Sequence, residues 1–147
     1  MPGLPSGGGG LYSTAAVYLR FAQMMANGGE LKGKRLLEPT SVTMMRTNVL
    51  NDQTLNSQSG IGPVRLQPGL GFGYDFAVMS DPVAMKSPLG KGTYWWWGIA
   101  GTWFWIDPAN DVVFIGMIQR RGGAPGAANH EDLARAITYK SLVNPRT

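Results

Sequence analysis

The chain has 147 residues, 44% of them hydrophobic and 15% charged, enough apolar surface for the core of one ordinary domain and outside the range of disordered chains. Thirteen Lys and Arg against nine Asp and Glu leave a formal charge of +4, but the cations are scattered rather than striped, which argues against a nucleic-acid partner. Cysteine is absent, so disulfides, thiol nucleophiles and Cys-based metal sites go together, and no apolar run approaches the roughly 18–20 residues of a membrane span.

In chain order, residues 1–12 read as linker-like: Pro and Gly dominate "MPGLPSGGGG", which has neither the basic nor the apolar region of a signal peptide. The absence of cysteine is compatible with cytoplasm or periplasm, and the compartment stays open. Ser13 is placed to cap a helix over 14–27, with Tyr18, Phe21, Ala22 and Met25 on one apolar face. Gly28 and Gly29 end it, since glycine adopts left-handed backbone at little cost. A turn at Lys32-Gly33 follows. Pro39 then opens a shorter helix over 40–48 that turns Val42, Met44 and Met45 inward.

Residues 51–71 are polar and turn-rich and read as loop. From Phe72 the period becomes that of strands: "FGYDFAVM", "TYWWWGI", "TWFWI" and "DVVFIGMIQ", separated by the turns Ser80-Asp81-Pro82, Gly98–Gly101 and 107–110. Connections this short force antiparallel pairing. Asn129 caps a last helix with Glu131 and Asp132 in its first turn, and Leu133, Ala136, Ile137 and Val143 form its apolar stripe. The expectation is one α+β domain over 1–147: two N-terminal helices, an antiparallel sheet of three to four strands, and a C-terminal helix.

Most motifs for chemistry fail their context. Gly7–Gly10 precede a helix, but Leu11-Tyr12 stand where a phosphate-binding loop needs Lys and Ser/Thr, and "GLGFGY" leads into a strand. His130 is the only histidine, the nine carboxylates are dispersed, and no metal-ligand spacing occurs, so no metal or other cofactor is expected. What stands out is "TYWWWGIAGTWFWI", residues 93–106, which holds all five tryptophans. Alternation places Tyr94, Trp96 and Gly98 on one face and Trp95, Trp97 and Ile99 on the other. Position alone leaves two readings open: indoles as core filler, or indoles as the wall of a groove.

Three stretches carry a family resemblance. "SGGGGLYSTAAVYLRFAQMMANGGELKGKRLLEPTSVTMM", "PGLGFGYDFAVMSDP" and "YWWWGIAGTWFWIDPANDVVFIGMIQ" resemble the C-terminal part of serine hydrolases with the β-lactamase and penicillin-binding-protein fold, nearest to class C β-lactamase-like esterases, the family VIII carboxylesterases. The resemblance implies an antiparallel sheet between helices, a partial transpeptidase-like fold. It also implies an S-x-x-K motif carrying the nucleophilic serine, a Y-x-N motif, and a third motif, K-T-G or W-G-G, on the strand edging the site. Anchored on "AGTWFW", the third motif falls on Trp96-Trp97-Gly98, with Trp97 in place of the middle glycine, and Ile99 would offer a backbone N–H to the oxyanion hole. A shift by one residue, to Trp97-Gly98-Ile99, is the alternative alignment.

No serine has lysine three residues on, and no tyrosine has asparagine two residues on. The resemblance therefore implies a truncated chain that lacks the nucleophile and is inactive alone. Its implied partners are the missing N-terminal part of the same hydrolase or a second copy, and the parent's substrate is a small ester or amide. The alternatives are a non-catalytic association or dimerisation module and an aromatic-groove ligand binder.

Overall fold

The structure, a computed structural model, describes residues 11–51, 54, 60–61, 64–120 and 129–146. The linker-like reading of residues 1–12 falls largely outside them. Helix α1 (Ala15–Ala26) carries no Gly or Pro inside it. Its cap is Thr14, one residue later than the sequence suggests: the Thr14 side chain accepts from the Val17 N–H at 3.3 Å, while the Ser13 hydroxyl turns to the Thr14 carbonyl. Ala22, Met24 and Met25 are buried, Tyr18 packs its ring 5.4 Å from Phe104, and Phe21 stays 37% exposed. The helix stops at Gly28 (φ +67°) and Gly29 (φ +95°), whose N–H groups return to the Met25 and Met24 carbonyls. Gly29 meets a second demand: a Cβ there would collide with the Leu37 carbonyl.

The expected turn at Lys32-Gly33 joins two short strands, β1 (Glu30–Leu31) and β2 (Lys34–Arg35), which pair antiparallel. Both turn residues have positive φ, the requirement of a two-residue hairpin. Helix α2 (Pro39–Met45) starts at proline as expected but ends three residues early. Val42 is buried and Met45 packs on the core, whereas Met44 is 56% exposed, so the expected inward Met44 is corrected. The stretch read as loop contains a small antiparallel pair, β3 (Gly60–Ile61) and β4 (Val64–Arg65).

The main sheet has five antiparallel strands in chain order, one to two more than expected: β5 (Leu70–Phe72), β6 (Ala77–Met79), β7 (Tyr94–Gly98), β8 (Thr102–Asp107) and β9 (Val112–Met117). The extra strand arises because "FGYDFAVM" is not one strand. Asp75 sits at φ +76° and the Gly73 N–H bonds the Phe76 carbonyl at 2.9 Å, so the chain reverses and Phe72 pairs with Ala77.

Two cores lie on the two faces of this sheet. On one, α1 and α2 cover Phe76, Val78, Tyr94, Phe104 and Ile106. On the other, helix α3 (His130–Lys140) and the 81–93 loop cover Ala77, Met79, Leu89, Trp95 and Trp105. Asn129 caps α3 as expected, accepting from the Glu131 and Asp132 N–H groups. Its stripe is not the expected one. Leu133 (52%), Ile137 (57%) and Val143 (92%) are exposed, as is Ala136, while Tyr139, Ala134 and Leu142 pack inward and the Arg135 guanidinium lies 5.5 Å over the Trp95 ring. Counting aliphatic residues alone missed a helix anchored by a tyrosine and a cation–π contact. No helix among the described residues is long and apolar enough to cross a membrane.

Candidate functional site

The tryptophans divide between the two readings the sequence left open. Trp105 is fully buried and Trp95 nearly so. Trp105 lies flat on Phe114, centroids 4.0 Å apart and planes within 2°, and 6.5 Å from the Tyr139 ring. These two indoles are core. Trp103 is half-buried and stacks on Phe114 at 6.3 Å. It settles over Gly116, its cross-strand neighbour, where any Cβ would run into the indole.

Trp96 and Trp97 are both half-buried and form a separate group at the far end of β7. As consecutive strand residues they leave opposite faces of the sheet, yet their rings stack at 5.8 Å and 19°. The Phe72 ring meets Trp96 edge-on at 5.2 Å and 81°. The two indoles therefore close over the strand's edge, with Phe72 backing them.

That edge is free for a reason visible in the register. Strand β6 pairs with β7 only at Tyr94 and Trp95, because the Gly73–Phe76 reversal starts β6 at Ala77. Beyond Trp95, among the described residues, β7 is paired on its β8 side alone, through Trp96↔Phe104, Trp97↔Trp103 and Gly98↔Thr102. Backbone polarity follows from strand alternation. The Met79 N–H donates to the Thr93 carbonyl at 2.8 Å, so Thr93 faces β6, and Trp95 and Trp97 face the same way. The N–H and C=O of Trp97 thus point into the space β6 leaves, and because the Gly98 carbonyl accepts from the Gly101 N–H on the β8 side, the trans peptide turns the Ile99 N–H away from β8 as well. The Ile99 side chain is 68% exposed in the Gly98–Gly101 turn, which closes on the Gly101 N–H to Gly98 carbonyl bond.

Asp107, at the opposite end of β8, was legible only as a turn residue. It is fully buried and gathers five donors: the N–H groups of Gly90, Ala109 and Asn110, the Asn110 side-chain amide and the Tyr139 hydroxyl. It joins the 81–93 loop that precedes β7 to α3. Tyr139 is pushed well above the ordinary tyrosine range by burial, then by its bond to Asp107 and the charge there. Tyr94, at the root of β7, is fully buried under Phe76, and burial pushes its hydroxyl up to about 12 despite the nearby Arg46. Its Oη has no hydrogen-bond partner among the described residues.

His130 is exposed at the start of α3, away from Trp96–Ile99 in the chain, and no three metal-ligating side chains converge among the described residues. Burial raises the Glu131 carboxyl, partly offset by its ion pair with Arg135. That pair fixes the guanidinium on Trp95 and belongs to the packing of α3.

Residues 1–139 match the family model described as Beta-lactamase. Two Mycobacterium tuberculosis proteins, uncharacterized protein MT1414 of strain CDC 1551 / Oshkosh and protein Rv1367c of strain H37Rv, are each 39% identical over 154 residues, covering 99% of this chain and 38% of their own. Esterase EstB of Burkholderia gladioli is 35% identical over 106 residues, 71% of this chain and 23% of EstB. Among solved structures, EstCE1, described as a hydrolase with promiscuous acyltransferase activity, superposes with a TM-score of 0.62 at 20% identity over 85% of this chain and 29% of that one. The chain thus spans well under half the length of the relatives it matches.

Proposed function

The chain belongs to the beta-lactamase family, and from that premise we propose that it is the C-terminal segment of an esterase or β-lactamase-like serine hydrolase. In the parent reaction a serine oxygen attacks the carbonyl of a small ester or amide, the alcohol or amine leaves with a proton, and water hydrolyses the acyl-enzyme. This chain supplies one wall of that cleft. Trp96, Trp97 and Gly98 occupy the third-motif strand, and the Ile99 N–H is the oxyanion donor. A backbone donor needs direction, not a particular side chain, which is why isoleucine serves at that position.

The observation that carries the reading is the overhang of β7 past β6. Among the described residues it leaves the backbone of Trp97 without a strand partner on the edge where the resemblance puts the substrate, with an aromatic wall beside it. Trp97, at the position where the W-G-G pattern implied by the resemblance has its middle glycine, narrows the approach and favours flat acyl or alkoxy groups that lie against an indole. The proposed acyl-enzyme can be released to water or to another alcohol, which accords with the name of esterase EstB and with EstCE1 as a hydrolase with promiscuous acyltransferase activity.

No S-x-x-K or Y-x-N occurs in the sequence, so the nucleophile and its proton relay come from outside this chain and the chain alone does not turn over. The test is hydrolysis of p-nitrophenyl acetate and butyrate by the purified chain, alongside labelling with a serine-directed fluorophosphonate. Rates at the buffer background and no labelling are expected. Turnover abolished by substituting any one serine of this chain would overturn the reading.

A further inference from the structure

Trp96 packs on both faces of the main sheet at once. Its backbone pairs with Phe104, which belongs to the face under α1 and α2, so alternation starts its side chain on that face with Tyr94. Phe72 and Trp97 start on the other face. Phe72 pairs with Ala77 and Trp97 with Trp103, and both of those partners pack with the α3 core. Yet the Trp96 ring lies 5.2 Å from the Phe72 ring and 5.8 Å from the Trp97 ring, and it packs against both cores.

A side chain cannot pass between two paired strands. The ladder Trp96↔Phe104, Trp97↔Trp103, Gly98↔Thr102 closes the β8 side of β7. The indole therefore comes round the other edge, past the last β6 pair at Ala77↔Trp95. That is the space into which the N–H and C=O of Trp97 point. The ring lies across the backbone groups that a substrate on β7 would meet. Ring contacts hold it there, since the indole N–H has no hydrogen-bond partner among the described residues.

We propose that Trp96 is a gate on the cleft, opened by a planar aromatic group of the substrate that takes the place of the Trp96 indole against Trp97. This rests on the reading of β7 as the substrate wall, and it adds a substrate class: aryl esters and amides ahead of saturated ones of the same size. A flat ring restores the stack that the departing indole gives up, whereas a saturated ring does not. Only the open fraction of the chain binds, so the closed gate weakens every ligand by one factor, and removing it strengthens all of them together.

The probes are benzamide and cyclohexanecarboxamide, which share a carboxamide and a six-membered ring and differ in its planarity. Each is titrated into the 15N-labelled 147-residue chain and followed by the indole N–H signals. The free chain should show nuclear Overhauser contacts between the Phe72 and Trp96 rings. Benzamide should shift the Trp96 and Trp97 signals, leave Trp105 in place and abolish those contacts at saturation, a measurement that needs no variant. It should bind at least about threefold more tightly than cyclohexanecarboxamide. Trp96→Val keeps a strand-forming residue too short to reach round the edge, and should tighten both ligands about three- to tenfold with the Trp105 signal unmoved. A Trp96→Val chain that binds no tighter than the parent, Phe72–Trp96 contacts that persist in the benzamide complex, or equal affinities for the two amides would each overturn the gate and leave β7 standing as a substrate wall. Binding of neither amide to either chain up to about 20 mM would overturn the wall, and the gate with it.

Discussion

The Tyr139 hydroxyl donates to Asp107 Oδ2 at 2.6 Å, joining the end of β8 to the closing helix across 32 residues. Both groups are buried, and Asp107 also holds the Gly90 N–H at 2.9 Å, which tethers the loop leading into the tryptophan strand. Replacing Tyr139 by Phe keeps the ring against Trp105 and removes one donor from a carboxylate that keeps four. The expected cost is about 1.5–3 kcal/mol, the range for a bond to a charged group. Asp107→Ala leaves donors from three segments unpaired, the Gly90 N–H and the Tyr139 hydroxyl among them buried, and should cost about 2–5 kcal/mol. Urea denaturation of both variants and their double mutant measures this. A double mutant as destabilised as the sum of the singles would mean that the pair does not act as a unit.

Tyr94 presents the opposite situation. Its ring is packed between Phe76 and the sheet, but its hydroxyl is buried without a partner among the described residues. Tyr94→Phe should therefore leave stability unchanged or raise it by up to about 1 kcal/mol. The pH dependence gives an independent check. A folded pKa of about 12 against an ordinary value of 10 means that the unfolded chain loses this proton first. The stabilisation is complete below about pH 10 and falls as pH rises from there toward 12. Denaturation midpoints at pH 9 and pH 11 should converge in Tyr94→Phe relative to the parent. An unchanged alkaline slope would show that this hydroxyl is not held neutral by burial.

Gly116 has ordinary negative φ, so its requirement is steric. An alanine methyl there enters the Trp103 indole, which lies over the glycine between the strand and Phe114. Gly116→Ala should cost about 1–3 kcal/mol by overpacking, although alanine has the better intrinsic strand propensity. Trp103→Ala in the same chain removes the clash, so the alanine should then cost less than about 0.5 kcal/mol. Thermal unfolding of the single and double variants decides it.

The strands of the tryptophan hairpin were legible because alternation, turn residues and short connections agree there, and the structure keeps them almost to the residue. Elsewhere local pattern and tertiary demand diverge. "FGYDFAVM" alternates, and nothing local marks the positive φ of Asp75 that folds it into a hairpin. Yet that reversal shortens β6 and leaves the end of β7 without it, so the feature on which the proposed site rests was the one the periodicity hid. In α3 the aliphatic residues repeat at helical spacing, but the helix is held by Tyr139 on Asp107 and Arg135 on Trp95. Such contacts join segments far apart in the chain, and spacing within one helix carries no trace of them. Of the site itself, sequence supplied the strand and its residue types. The joining of Phe72 to Trp96, and the split of the indoles between core and edge, needed the register.

That split has a consequence that fluorescence can read. Trp95 and Trp105 are sealed between the sheet and α3, whereas Trp96 and Trp97 line the open end of β7. Acrylamide quenching should show two populations. Trp97→Phe and Trp96→Phe should each shrink the readily quenched one, and Trp105→Phe should leave it unchanged while lowering the protected emission. A flat ester analogue such as p-nitrophenyl butyramide, which cannot be turned over without the serine, should quench the accessible population and shield it from acrylamide. Trp97→Gly restores the small residue of the W-G-G pattern and removes one partner of a 5.8 Å stack at an exposed edge. It should cost about 0.5–1.5 kcal/mol, the scale of an aromatic pair, and not the 3–5 kcal/mol typical of truncating a core indole. A loss of the larger size would mean that Trp97 belongs to the core with Trp105, and that β7 offers no wall to a substrate.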